Sequence, residues 1–217
     1  MIVNQHNFDI THFDQSLLIE GAFKSKGIER KRHLQQAMPH AVIAGHILEF
    51  GVYRGKTINH ISSHWPDQSV WGFDSFQGLP EPWFVNDQSH ASHPAGTFDL
   101  TQEGLPAYPI NVKLVKGWFD QSIPPWLDSN PGPIKFLHVD CDLYSSTLTV
   151  LNLLNQSIVP GTVIVFDEFY PWGNSKSYDL WAQGEYQALK EWTAQHDRQF
   201  KPLLHSSHQQ CSILMIK

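Results

Sequence analysis

Acidic residues placed where apolar runs end are the first chemistry legible in this sequence. The run Phe136-Leu-His-Val-Asp140-Cys-Asp142-Leu-Tyr-Ser-Ser-Thr147 sets two carboxylates two residues apart after a strand-like stretch. Asp167-Glu168 close the next such stretch, Thr162 to Phe166. Glu49 follows Ile47 and Leu48, and Asp74 ends Val70-Trp-Gly-Phe. In a sheet of parallel strands these acids gather at one edge. Uncompensated, Asp140, Asp142, Asp167 and Glu168 would raise one another's pKa and cost stability. A divalent cation removes that cost, and all-oxygen ligands suit a hard ion such as Mg²⁺. Asp142 has a second reading as the N-cap of a helix holding Ser145, Ser146 and Thr147.

The turn Glu49-Phe50-Gly51-Val52-Tyr53-Arg54-Gly55 adds a small-ligand site. Its glycines let the backbone come close to a ligand, and the helix-compatible run that follows offers free N–H groups in its first turn. Asp74 stands one strand–helix–strand unit later, so the pair suits an adenosine-containing cofactor. A dinucleotide needs G-x-G-x-x-G with pyrophosphate on the helix N-terminus. Here the middle glycine is missing, and the acid two residues before the first glycine repels pyrophosphate but suits a cation. S-adenosylmethionine carries a sulfonium and an ammonium and no phosphate. Glu-x-Gly-x-x-x-Gly resembles the first motif of class I S-adenosylmethionine-dependent methyltransferases. A tight βα turn with no ligand is the plainer alternative.

The chain has 217 residues, enough for one α/β domain, with 41% hydrophobic residues and a formal net charge of −6. That charge argues against nucleic acid or an anionic membrane as the main partner. The N-terminal residues lack the pattern of a secretory signal, and no segment reads as membrane-spanning. Cys141 and Cys211 read as buried thiols in a reducing compartment, so a cytoplasmic location is expected. The 13 histidines show no zinc-site spacing and are expected mostly in solvent. Trp65, Trp83, Trp126 and Trp172, beside Pro or near Gly, are expected at loop edges that help line a pocket.

Residues 1–40 form an expected N-terminal helical extension, with Asp14 to Met38 helical, and 41–217 form the domain. Its basic residues Lys24, Lys26, Arg30, Lys31 and Arg32 suggest a solvated face or a contact for an anionic group. Strands are expected at about 44–50, 70–74, 112–116, 134–139 and 162–166, with helices at about 56–63, 148–157 and 185–196. The tail, 200–204 and 211–216, reads as a hairpin. Alternation of strand and helix argues for a mostly parallel sheet covered on both faces, with ligands at the carboxyl ends of its strands. Gln77 to Pro109 is too long and proline-rich for a plain connector and is read as a short helix plus a lid. His90, His93, Trp83, Tyr170 and Trp172 are candidate acceptor contacts.

His-Val-Asp140-Cys-Asp142-Leu-Tyr-Ser-Ser-Thr, Val159-Pro-Gly-Thr-Val-Ile-Val-Phe-Asp-Glu-Phe169 and Val115-Lys-Gly-Trp-Phe-Asp-Gln-Ser-Ile-Pro124 resemble the macrocin O-methyltransferase family. Glu49-Phe-Gly-Val-Tyr-Arg-Gly55 and Phe73-Asp-Ser-Phe-Gln-Gly-Leu-Pro80 match in order and spacing. The resemblance implies a three-layer α/β/α Rossmann-like methyltransferase fold, with a mostly parallel seven-stranded sheet and a C-terminal antiparallel hairpin. It implies Mg²⁺-assisted methylation of sugar hydroxyls on natural products. By it, Asp140, Asp167 and Glu168 are metal ligands and Asp142 the general base. Where this chain has Asp167-Glu168 the family usually has two aspartates. On this reading Glu49 and the turn through Phe50, Gly51, Val52, Tyr53 and Gly55 hold the methionine end of S-adenosylmethionine. Asp74 accepts the ribose hydroxyls beside Ser75 and Phe76; Gly117, Trp118 and Phe119 line the adenine; Asp140 is a further cofactor contact. The expected partner is a small-molecule acceptor, with a homo-oligomer open. Two other readings stand: a metal-independent N- or carboxyl-methyltransferase, and a non-catalytic cofactor-binding domain.

Overall fold

The computed structural model describes residues 1–13, 15–19, 26–86, 92–172 and 178–217. Its sheet is built where the sequence turns continuously apolar. Strand β4 (Ile134–Val139) is buried at every position, as a strand covered on both faces must be. β1 (His46–Phe50) and β5 (Ile158–Phe166) flank it in parallel. β2 (Val70–Asp74) and β3 (Val112–Lys116) continue the parallel sheet beyond β1. β6 (Phe200–His205) and β7 (Cys211–Met215) form the antiparallel hairpin on β5, giving the order β3-β2-β1-β4-β5-β7-β6.

Side chains alternate between two cores. Leu48, Leu137 and Ile164 face one side, against Trp126 of α3 (Phe119–Ser129), Leu151 of α4 (Tyr144–Leu153) and Trp192 of α5 (Glu185–Gln195). Ile47, Phe136 and Val163 face the other, against Leu34 of α1 (Lys26–Ala37) and Ile58 and Ile61 of α2 (Lys56–His64). The three layers are those expected from the sequence.

Several local expectations are corrected. The N-terminal segment is not one helix. Among its described residues it makes 3-10 turns at Ile10–His12 and Gln15–Leu17 before α1 begins. It is no separate appendage either: Val3 bridges Phe200 and Leu18 bridges His205, covering the edge strand β6, and Val3, Phe13 and Ile19 lie in the core. Helix α3 was not among the expected helices; Pro124 and Pro125 both sit inside it. α4 spans Tyr144–Leu153, four residues ahead of the expected 148–157 at both ends. Between Gln77 and Pro109 no helix occurs among the described residues; the segment folds back on itself through bridges Gln77–Asp99 and Trp83–His93. Trp65, Trp126 and Trp172 are buried rather than lining a pocket. Among the described residues no helix is long and apolar enough to cross a membrane.

The β1–α2 turn depends on Gly51. Its φ is +88°, and a Cβ there would stand 1.8 Å from the Asp140 carbonyl oxygen. Gly96 also has a positive φ, +81°, but faces open space. Gly96→Ala should therefore cost only the backbone penalty, about 1–2 kcal/mol, whereas Gly51→Ala should cost well above about 3 kcal/mol because backbone must move as well. Urea unfolding midpoints of the two variants check this; equal shifts would contradict it.

Candidate functional site

The carboxyl ends of β1, β2, β4 and β5 open into one cavity of about 800 Å³. Asp74 is one of its lining residues. Its Oδ2 accepts the N–H groups of Val52 and Tyr53, both at 2.8 Å, and its Oδ1 accepts that of Phe76 at 2.7 Å. The carboxylate thus braces the glycine turn while still lining the cavity. Gly51, Val52, Tyr53, Ser75, Trp118 and Phe119 line it too. Gly117 donates its N–H to the Asp74 carbonyl at 3.0 Å. Phe50 and Phe76 are buried, Phe50 stacked on Phe73 with centroids 4.5 Å apart. Gly55 lies under the Tyr108 ring. None of these four lines the cavity.

Glu49 does not line the cavity either; it is turned into the protein. It is fully buried, with Oε1 accepting from Thr57 Oγ1 at 3.0 Å and Oε2 3.1 Å from His138 Nδ1. The other ring nitrogen of His138 lies 3.9 Å from Asp167 Oδ1. Burial favours a neutral His138 ring, but Asp167 and Glu49 on its two sides raise it to about 10. The site's buried counter-charge is therefore a histidine that the sequence alone did not single out. Its position one strand over from Glu49, in register with it, was the available signal.

Asp140, Asp142 and Glu168 line the same cavity. Oxygens of these three lie within 4.8 Å of one another, as do ligand atoms of His138, Asp140 and Asp167. The basic run of α1 reaches this cluster: Arg30 pairs with Asp167 and lies 3.4 Å from both Asp140 Oδ2 and Glu168 Oε1. Burial pushes the Asp140 carboxyl up, Arg30 draws it back, and it comes to rest at about 6. Burial opposes ionisation of Asp167 as well, yet Arg30 and His138 outweigh it and hold that carboxyl well below the usual range. Beneath them Glu185, raised well above its ordinary value by burial and by Asp167, accepts the Glu168 N–H at 2.9 Å.

Asp142 takes a left-handed backbone, φ +62°, a conformation aspartate tolerates better than most residues. It does not cap α4; the N-cap is Leu143. Ser145, Ser146 and Thr149 of α4 face the cavity beside it. The 77–109 segment supplies the outer wall with Trp83, His93 and Phe98, the Trp83 and His93 rings stacked 5.0 Å apart. It is tied down by a Ser145–Glu81 hydrogen bond, an Arg54–Glu103 pair, and Leu180 N–H on the Val85 carbonyl at 3.0 Å. Tyr170 and Trp172 do not line the cavity; they pack with Phe13, Phe169 and Trp181. His90 falls outside the described residues. Among the cavity residues that the sequence did not single out are Arg30 in its place by the acids, Phe98, Asp120, and His208 and Gln209 of the β6–β7 loop.

An all-oxygen trio on a cavity wall has the donor chemistry of a hard divalent cation. Asp167 Oδ1, buried and without a hydrogen bond, shows that Arg30 leaves the cluster incompletely satisfied. Asp140, Asp142 and Glu168 fit such an ion, with Asp167 beside Asp140 in a second group completed by His138. The two cysteines are buried free thiols.

The model of the macrocin O-methyltransferase (TylF) family matches residues 19–191. A demethyldecarbamoylnovobiocin O-methyltransferase of Streptomyces niveus is 25% identical over 169 residues, covering 66% of this chain and 61% of that protein. An 8-demethyl-8-(2,3-dimethoxy-alpha-L-rhamnosyl)-tetracenomycin-C 4'-O-methyltransferase of Streptomyces olivaceus is 26% identical over 166 residues, with the same two shares. The chain therefore spans about three-fifths of the length of these curated relatives. Among solved structures the calicheamicin methyltransferase CalS11 superposes with a TM-score of 0.68 at 22% identity, covering 86% of this chain and 79% of the other, a likeness of fold. With the family model spanning most of its length, the chain belongs to the macrocin O-methyltransferase family.

Proposed function

We propose that this protein is an S-adenosylmethionine-dependent O-methyltransferase acting on a hydroxyl beside a second oxygen, such as a sugar diol of a natural product. The observation that carries the reading is that Asp74 with its glycine turn, and Asp142 with its neighbouring carboxylates, line one and the same cavity. Family membership supports the reaction class, and the rhamnosyl group in a relative's name supports the acceptor class. The two buried thiols suit a reducing, cytoplasmic setting.

S-adenosylmethionine, when bound, supplies a methyl group on a positive sulfur and leaves as the thioether. A divalent cation held by Asp140, Asp167 and Glu168 would supply Lewis acidity toward the acceptor oxygens. The chain's own residues do the rest. Asp74 Oδ1 accepts a ribose hydroxyl with the one lone pair that the turn leaves over. Trp118 and Phe119 offer apolar faces to the adenine. Asp142 takes the acceptor hydroxyl's proton as the oxygen bonds to the methyl carbon. Trp83, His93 and Phe98 wall the acceptor side and limit water. Much of the acceleration then comes from holding two reactants in one orientation.

Arg30 favours a second reading. A guanidinium already faces the acids, so a metal-independent methyltransferase would also leave them compensated. Turnover indifferent to EDTA would select that variant.

Calorimetry with S-adenosylhomocysteine, followed by a screen of glycosylated acceptors, tests the function directly. Asp142→Asn should lower turnover by roughly 10²–10⁴-fold, the range of a lost general base, with S-adenosylhomocysteine affinity little changed; full activity would remove the base. Asp74→Asn should weaken S-adenosylhomocysteine binding by roughly tenfold or more, since it strips charge from both the turn and the ribose contact. Unchanged affinity would place the cofactor elsewhere.

A further inference from the structure

Arg30 reaches the strand-end acids from α1, and it touches the carboxylates that also fit a metal ion. Its guanidinium spans three of them, Asp140 at the end of β4 and Asp167 and Glu168 at the end of β5. Two of the three contacts are 3.4 Å, at the outer limit for hydrogen bonding. The fork is only partly used: Arg30 Nε is buried without a hydrogen bond, and so is Asp167 Oδ1. One guanidinium, with His138 behind it on Asp167, thus spans three carboxylates in a poor fit, where a bidentate pair would be tight. The side chain remains 25% exposed and lines the cavity, which gives it a way out. The preceding residue fixes α1 elsewhere. Glu29 is fully buried and accepts Ser207 N–H and, at 2.8 Å, Ser207 Oγ, with His208 Nε2 3.5 Å away.

We propose that Arg30 is the resident counter-cation of this cluster and is displaced when a divalent cation enters, so that cation binding is coupled to the hold of α1 on the cavity. The inference rests on the metal reading given above. An ion about 2.0–2.1 Å from the same carboxylate oxygens leaves no room for a guanidinium on them, and the two positive charges repel. Competition of this kind lowers the cluster's apparent affinity by the fraction of time Arg30 holds it. Arg30 also keeps the cation-free protein from the mutual repulsion of its own carboxylates. The neighbouring loop is linked to the same event, because Glu29 ties α1 to Ser207 and His208 while His208 and Gln209 line the cavity.

The test titrates Mn²⁺ alone into the full chain, comparing wild type with Arg30→Gln and Arg30→Lys. Calorimetry should show Arg30→Gln binding Mn²⁺ at least tenfold more tightly than wild type, with Arg30→Lys, which keeps the charge, no tighter than wild type. Arg30→Gln should melt lower than wild type without cation and gain more from saturating Mn²⁺. Equal or weaker Mn²⁺ binding by Arg30→Gln, with wild type binding, overturns displacement and leaves the metal reading standing. Absence of binding to both overturns both. Should Arg30→Gln fail to fold, hydrogen exchange of wild-type residues 26–37 decides: faster exchange with bound Mn²⁺ supports displacement, and unchanged exchange overturns it.

Discussion

Carboxylates at the buried ends of neighbouring strands cannot stand without positive charge beside them, and this constraint organises the molecule. Taking an ion out of water costs several kcal/mol even after relaxation. The chain meets the cost with a row of alternating charge. Glu49 on β1 faces His138 on β4, His138 faces Asp167 at the end of β5, and Arg30 of α1 closes the row over Asp167, Asp140 and Glu168. The register Glu49–His138 across the parallel pair makes the first link a property of the sheet itself. Removing one partner would strand the others, so the row ties the position of α1 to the sheet.

The same strand ends give the cavity its two functions. Parallel strands finish on one side, and a loop leaves each of them there. The loop after β1 must cross close to the backbone of Asp140, which requires glycine at position 51. Asp74, at the end of β2, gathers that loop's N–H groups. Asp142, two residues beyond Asp140, turns back in a left-handed conformation and stands on the acid side. The folded segment 77–109 and α1 cover what the sheet leaves open. Neither is part of the alternating strand–helix pattern, yet both supply cavity residues.

How much of this the sequence announces depends on the range of each interaction. Strands 70–74, 112–116 and 134–139 were legible to the residue, because short runs rich in apolar residues and bounded by polar ones are local signals. The gathering of Asp140, Asp142 and Glu168 followed from strand-end logic. Glu49 was read as facing the ligand, since its spacing to Gly51 carries no information on whether His138 sits beside it. Arg30 was read only as part of a basic run, because its partners lie more than a hundred residues away. Helix α3 was hidden by Pro124-Pro125: its apolar face, Ile123 and Trp126, is buried well enough to outweigh the lost N–H groups. The N-terminal strand bridges to β6 depend on an edge that exists only once the hairpin has formed.

The central claim is that one cleft brings the Asp74 turn and the Asp140–Asp142–Glu168 carboxylates to bear on the same pair of ligands. Crystals grown with S-adenosylhomocysteine and Mn²⁺, measured at a wavelength where manganese scatters anomalously, test it most directly. The anomalous peak should fall among the oxygens of Asp140, Asp167 and Glu168, with a ribose hydroxyl on Asp74 and the thioether sulfur directed toward Asp142. Manganese bound elsewhere, or the nucleoside seated away from Asp74, would contradict it.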